Sequence, residues 1–263
     1  MGPLESEFWR DHFRRNRSSG LGLPWSDRSP LSASEREAVQ GSIQQFQLGE
    51  RANGARLVER GEKYATKTGD PAFIQALRLF VEEERRHSSY LLRFMRREQI
   101  PPVERHWDDT AFRRLRGLAG LELSLRVLVT AEMIAVPYYR SLRDATNSPL
   151  LRAISSQILK DEAAHLSFQA SMLARLGARR PDLLNRGIWG AHRLLLNLTA
   201  ALVWLGHQRV FGAAGQAYAE FRGQALREFD RTKRLSRDFA RRSSAEHIGT
   251  AIDRVRSVGR DAG

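Results

Sequence analysis

From Ser34 to about Arg242, apolar residues recur three and four positions apart, the spacing of one helix face. No alternation of apolar and polar residues lasts more than a few positions, so the pattern predicts an all-α chain. Ser34 with Glu37 reads as a capping box for a first helix reaching about Thr68, where Gly69 is a stop. Asp70-Pro71 supplies a cap and a first-position proline for a second helix that ends near Glu98, ahead of Pro101-Pro102. Residues 99–109 read as a connection. A third helix is expected from about Thr110 to Asp144, weakened at its start by Gly117 and Gly120. Asn147-Ser148-Pro149 primes a fourth, running to about Leu176 before Gly177. The result is two similar helical hairpins over residues 34–178, the makings of a four-helix bundle. Residues 179–242 read as a C-terminal helical extension, apolar on most sides around Leu194–Val203 and so destined for core or interface. Residues 243–263 read as a frayed tail. Residues 1–33, rich in Gly, Pro, Ser and Arg, read as an arm pinned by Trp25.

Two of the seven histidines have a glutamate three residues earlier: Glu84 before His87 and Glu162 before His165. Residues i and i+3 share a helix face. The first pair shares its face with Leu77, Phe80, Val81 and Leu91, the second with Ile158, Leu159 and Leu166, so both pairs should point into the core. The other two helices each place a glutamate on the apolar stripe. One is Glu132, among Leu128, Val129 and Val136. The other is Glu50, after Ile43 and Phe46. Counting from the turns, Glu132 and Glu162 lie level, and Glu84 lies at the matching height in its hairpin. Glu50 sits about one turn off. Glu59 is nearer in height but has polar neighbours, and Glu122 is ~15 Å from the Glu132 level at 1.5 Å per residue. An unpaired buried carboxylate costs several kcal/mol, so four together need either protons or cations. Two divalent cations balance four glutamates, and oxygen-rich ligation with one imidazole each suits two iron ions, or a manganese–iron pair. The absence of cysteine excludes thiolate-held metals, disulfides and thiol catalysis.

The order Glu, E-x-x-H, Glu, E-x-x-H on four successive helices resembles the ferritin-like non-haem diiron carboxylate superfamily over about residues 35–176. The resemblance implies a ferritin-like bundle with Glu50, Glu84, His87, Glu132, Glu162 and His165 as metal ligands and catalytic residues. The acids just before each pair, Glu83 and Asp161, resemble those of acyl-carrier-protein desaturases and ribonucleotide reductase small subunits. By that likeness Asp161 would hydrogen-bond His87 and Glu83 would hydrogen-bond His165. Phe80, Ala135, Val136 and Tyr139 would line a substrate pocket. Leu91 stands where ribonucleotide reductase carries its radical tyrosine. Ala135 stands where rubrerythrins add a glutamate. Ala135 and Val136 replace the threonine of desaturases and several hydroxylases, and Ile158 the third histidine of arylamine N-oxygenases. The long C-terminal extension and N-terminal arm are unlike bacterioferritin. What the resemblance implies is an oxygenase or oxidase that activates O2 to hydroxylate, desaturate or N-oxygenate a small organic or carrier-bound substrate. A ferroxidase and a membrane-surface quinol oxidase are the alternatives.

The net charge of +13 comes from 43 basic against 30 acidic residues, all but four of the basic ones arginine. An acidic carrier protein would suit this surface. The arginines are spread rather than blocked, and nucleic acid is not expected as a partner. No reductase module is visible, so an external electron donor is expected, and the extension suggests a homodimer. Glu5, Glu7, Arg10 and Asp11 at the start argue against a secretory signal and for a cytoplasmic protein. Leu194–Leu205, the most apolar stretch, has 12 residues against the ~20 needed to span a bilayer.

Overall fold

Two short polar residues, each followed by proline, set where two of the central rods begin. Asp70 accepts a hydrogen bond from the Phe73 amide at 3.0 Å ahead of helix Pro71–Arg97. Ser148 does the same for the Leu151 amide at 3.4 Å ahead of helix Pro149–Gly177. The proline in each first turn loses nothing, because its missing N–H would have had no helical partner. Gly69, at φ 67°, closes the preceding helix with the left-handed residue that glycine adopts without strain.

The computed structural model describes residues 3–18, 22–51, 54–103, 120–178 and 180–258. Among the described residues every regular element is helical. In chain order these are α1 (Pro3–Ser18), α2 (Ala33–Arg51), α3 (Ala55–Thr68), α4 (Pro71–Arg97), α5 (Leu121–Asp144), α6 (Pro149–Gly177), α7 (Asp182–Gly206), α8 (Gln208–Ala213) and α9 (Tyr218–Val258). Helices α2 with α3, then α4, α5 and α6 are the four rods of a ferritin-like bundle: α5 lies along α6, and α4 packs on α2, α3 and α6. Helix α9 covers α6 and α5, and α7 packs against α5 and α9.

Several boundaries differ from the sequence expectation. The segment read as an arm contains α1, which packs along α4 and buries Trp9 and Phe13. Trp25 does act as a pin, with the Arg93 guanidinium 3.9 Å above its ring. The capping box of α2 is Ser32 with Glu35, two residues early. The Ser32 amide donates to Glu35 at 2.8 Å and the Glu35 amide to the Ser32 hydroxyl at 3.3 Å. Glu35 also accepts the Asn147 amide at 2.6 Å, which ties α2 to the α5–α6 turn and holds its carboxyl down at about 2. The single first helix is two, α2 and α3. The presumed frayed tail continues α9 as helix to Val258. The expected connection beyond residue 103 and the expected start of the third helix, with Gly117, lie outside the described residues.

One buried polar network fixes α7 to α5. His192, 2% exposed, donates from Nε2 to the Thr130 hydroxyl at 3.0 Å, and Thr130 donates on to the Arg126 carbonyl at 2.7 Å. Arg126 donates to His192 Nδ1 at 3.2 Å. That pattern requires a neutral ring, and burial together with the Arg126 charge pushes the His192 pKa down to about 3. Below its ordinary 6.5 the unfolded chain therefore binds a proton that the folded chain refuses. Stability is full above pH 6.5 and falls as pH drops toward 3, by up to about 1.4 kcal/mol per unit. Between pH 7 and pH 5 the wild-type chain should lose about 2 kcal/mol more than His192→Gln in urea unfolding. Equal losses would show that His192 charges freely in the fold.

Candidate metal centre

Each rod delivers one or two polar side chains to a common point because helical spacing places them on the inward stripe. From α4 come Glu84 and His87, one turn apart, and from α6 come Glu162 and His165 with the same spacing. All four are buried, and one ligand atom from each lies within 4.8 Å of the others. Glu132 arrives from α5, its Oε2 3.5 Å from His165 Nδ1. His165 Nδ1 is also 3.0 Å from Glu84 Oε1 and 3.6 Å from Glu162 Oε2. His87 Nδ1 faces Glu84 at 3.8 Å and Glu162 at 3.9 Å. Glu50 enters from α2, buried, beside Glu84 and held by the Tyr139 hydroxyl at 2.7 Å. The other glutamates weighed for this role are elsewhere. Glu59 is exposed and paired with Lys63, and Glu122 is paired with Arg126 and Arg180. Glu50's apparent one-turn offset vanishes as an objection, since α2 and α3 are separate helices and a count along one rod does not apply.

The arrangement leaves inward atoms without partners. Glu84 Oε1, His87 Nδ1, Glu132 Oε2, Glu162 Oε2 and His165 Nδ1 are all buried and make no hydrogen bond. Orphaned groups of this kind are rare, because each forfeits water without compensation. Here five of them, all acceptors or potential ligand atoms, converge from three rods. Electrostatics shows how the chain tolerates this without cations. Burial, and then the neighbouring carboxylates, drive Glu50 and Glu162 well above the usual carboxylate range and raise Glu84. Burial also works against ionised Glu132, but the nearness of Glu162 and His165, with the hydrogen bond from Gln169, wins and brings it to about 2. Burial opposes the His165 cation too, yet the close approach of the Glu132, Glu162 and Glu84 carboxyls to its Nδ1 pushes its pKa well above normal. A raised proton affinity at Glu50, Glu84, Glu162 and His165 is thus how the cluster offsets its own negative charge. This donor set, oxygen-rich with one nitrogen from each E-x-x-H pair, fits two divalent ions of iron or manganese type.

The outer residues explain which atoms stay free. Asp161 Oδ2 accepts from His87 Nε2 at 3.0 Å, which leaves Nδ1 unprotonated and aimed inward. Hydrogen bonds from His87 and Gln157 overcome burial and hold Asp161 at about 2. Glu83 does not make the expected bond to His165: it accepts from Asn16 and lies 3.2 Å from Arg86, while His165 Nε2 has no partner. Asn16, on α1, also reaches Asp161 at 3.2 Å and so bridges the two outer acids. The sequence reading missed Asn16 because it missed α1. It also missed Gln169, which donates to Glu132 Oε1 at 2.8 Å, although its position one turn after His165 on the same stripe was a usable signal.

Of the expected pocket residues, Phe80 stands edge-on to His165 with ring centroids 4.7 Å apart, and Tyr139 binds Glu50. Ala135 and Val136 are buried on α5. A cavity of about 370 Å³ lies at the surface between α2 and the α7–α8 junction, beside Ser42, Gln45, His207 and Arg209, and Phe80, Ala135, Val136 and Tyr139 do not line it.

No protein-family model matches the sequence, and no curated relative matches it. Solved structures do match its shape. A Tyr→Phe variant of an R2-like ligand-binding oxidase with an aerobically reconstituted Mn/Fe cofactor superposes with a TM-score of 0.64 at 14% identity, over 88% of this chain and 92% of that one. A Val→Leu variant of such an oxidase, also with an aerobically reconstituted Mn/Fe cofactor, gives 0.60 at 15% identity over the same shares. The chain has the fold of an R2-like ligand-binding oxidase. At this identity the likeness concerns backbone architecture, and the chemistry has to be argued from the side chains above.

Proposed function

We propose that this chain is an O2-dependent oxidase or oxygenase with a two-metal centre, diiron or manganese–iron, held by Glu50, Glu84, His87, Glu132, Glu162 and His165. The observation that carries the proposal is the convergence of five unpartnered buried ligand atoms on one point of the bundle. The R2-like oxidases of the same fold, solved with Mn/Fe cofactors, support that reading. When bound, the metal pair supplies two-electron reduction of O2 and so an oxidant strong enough to attack an organic substrate.

The protein's own part is to position and to exclude. Asp161 fixes the His87 tautomer through Nε2, Gln169 fixes Glu132 through Oε1, and Tyr139 fixes Glu50 through Oε1, each by one hydrogen bond. Phe80 and Phe13 press on His165 and keep water from that side. The substrate is a small organic molecule, free or carrier-bound, to be hydroxylated, desaturated or N-oxygenated. A separate protein delivers the electrons, and the working unit is a homodimer.

Anaerobic addition of Fe(II), or of Mn(II) with Fe(II), followed by metal analysis should give two metals per chain. Because the raised proton affinity of Glu50, Glu84, Glu162 and His165 sets protons in competition with metal, metal affinity should weaken as pH falls. Air should then be consumed with a change in the optical spectrum. One metal or none per chain, after loading to saturation, defeats the proposal.

A further inference from the structure

Helix α7 presents an unusual outer face. Leu183 is 80% exposed, Leu205 66% and Leu194 61%, and Leu184, Leu198 and Leu202 are about half exposed. Gly187, Gly190 and Ala191 fill the stripe between them, all exposed. From Leu183 to Leu205 this apolar face runs ~33 Å at 1.5 Å per residue. Soluble monomers rarely leave so long a contiguous apolar surface open unless it binds something. By length and composition α7, at 25 residues, could cross a bilayer, contrary to the expectation drawn from its 12-residue apolar core. Its inner face forbids that. Trp189, His192, Leu196, Thr199 and Ala200 are buried against the protein, and only 28% of its most apolar window is covered. A helix anchored along one side and greasy along the other can lie in an interface, not through it.

Charge selects the occupant. Helix α9 packs beside α7, with Arg222 bonded to Asn197 and Arg193 of α7 3.4 Å from Asp230. The outward side of α9 then carries Arg227, Arg231, Arg234, Arg237 and Arg241, all exposed, with Arg231 3.5 Å from Glu228 and exposed Asp238 as the acid within the row. Leucines flanked by an arginine ridge, on a chain of net charge +13, match an anionic lipid surface. A second copy seated on this face would bring a second such ridge alongside the first, since a two-fold contact uses the same patch twice.

We propose that α7 docks this protein flat on an anionic bilayer, with its leucines in the acyl boundary and the α9 arginines among the headgroups. The test is flotation of the full chain with vesicles of phosphatidylcholine alone or with one-third phosphatidylglycerol, at low and at high salt. The chain should float with the anionic vesicles at low salt, several-fold less at high salt, and little with phosphatidylcholine. The double variant Leu194→Gln/Leu198→Gln should lose at least tenfold in bound fraction with its helical content and unfolding midpoint unchanged. Arg227→Glu/Arg234→Glu should lose the preference for anionic lipid. Flotation of the leucine variant equal to wild type overturns the proposal. So does a wild-type chain that stays with the soluble fraction, or one that forms dimers which the leucine variant splits into monomers. None of these readouts depends on metal.

Discussion

Replacing Glu162 by glutamine should abolish binding of the metal pair while leaving the metal-free chain at least as stable as wild type. The buried Glu162 carboxyl is held well above its ordinary 4.5 by burial and by ionised Glu132, so the metal-free fold favours its neutral form. Glutamine has nearly the same shape and the same neutral charge. It removes the cost of keeping that proton, and metal-free stability at pH 7 should stay level or rise by about 1–2 kcal/mol. The sign follows from proton counting. Above pH 4.5 the unfolded chain releases a proton that folded Glu162 retains, so metal-free stability declines as pH rises, and the variant should decline less. Metal loading reverses the comparison. A site filled at a hundred to a thousand times its Kd adds about 3–4 kcal/mol, so a pair of sites adds roughly twice that to wild type. With one anionic ligand gone, four metal charges face three carboxylates, and the variant should gain at most half the wild-type stabilisation and hold one metal or none. Thermal unfolding with and without metal, alongside metal analysis, reads both effects. Two metals retained, or a metal-free variant weakened by more than about 2 kcal/mol, would mean that Glu162 serves the fold rather than the metals.

The opposite signs expected of that one substitution reflect what could be read in the chain before its structure. Residues that stabilise a fold and residues that burden it leave different traces. Glu84, His87, Glu162 and His165 stood out because acids and imidazoles on an apolar stripe contradict the stripe's own logic. Asp70-Pro71, Gly69 and Ser148-Pro149 stood out because cap and stop chemistry is local. Helix α1 left no such trace. Its sequence, PLESEFWRDHFRRNRS, is mostly polar, and only Trp9 and Phe13 mark an inward face. Two apolar residues one turn apart are too short a pattern to separate a docked helix from a charged arm, and the contacts that decide it lie some 65 to 155 positions away in Phe80 and Phe168. The break between α2 and α3 has a local signal, because Asn53-Gly54 is a turn dipeptide, but the apolar spacing on either side of it is compatible with one long rod. Glu83's partner is hidden in the sequence for the same reason as α1, since Asn16 binds it from that helix.

Phe13→Ala should therefore be among the most damaging substitutions outside the ligand set. Phe13 is 1% exposed, and its ring sits 5.2 Å from Phe168, 6.0 Å from Phe80 and 6.0 Å from His165. Truncating a buried aromatic to alanine costs about 3–5 kcal/mol through lost transfer energy and the cavity left behind. In a chain of this length that is a fall of roughly 10 °C in Tm. Phe8, 56% exposed on the same helix, supplies the control, and Phe8→Ala should stay within about 0.5 kcal/mol. Asn16→Ala separates packing from positioning. It removes the bridge between Glu83 and Asp161 but little apolar surface, so stability should change by about 1 kcal/mol. Metal affinity should fall ten- to a hundred-fold, because Asp161 is what orients His87. If α1 were only an appendage, Phe13→Ala would cost less than 1 kcal/mol and Asn16→Ala would leave metal titrations unchanged. If both effects appear, the first helix is the bundle's fifth wall, and its removal admits water to His165 as well as slackening His87.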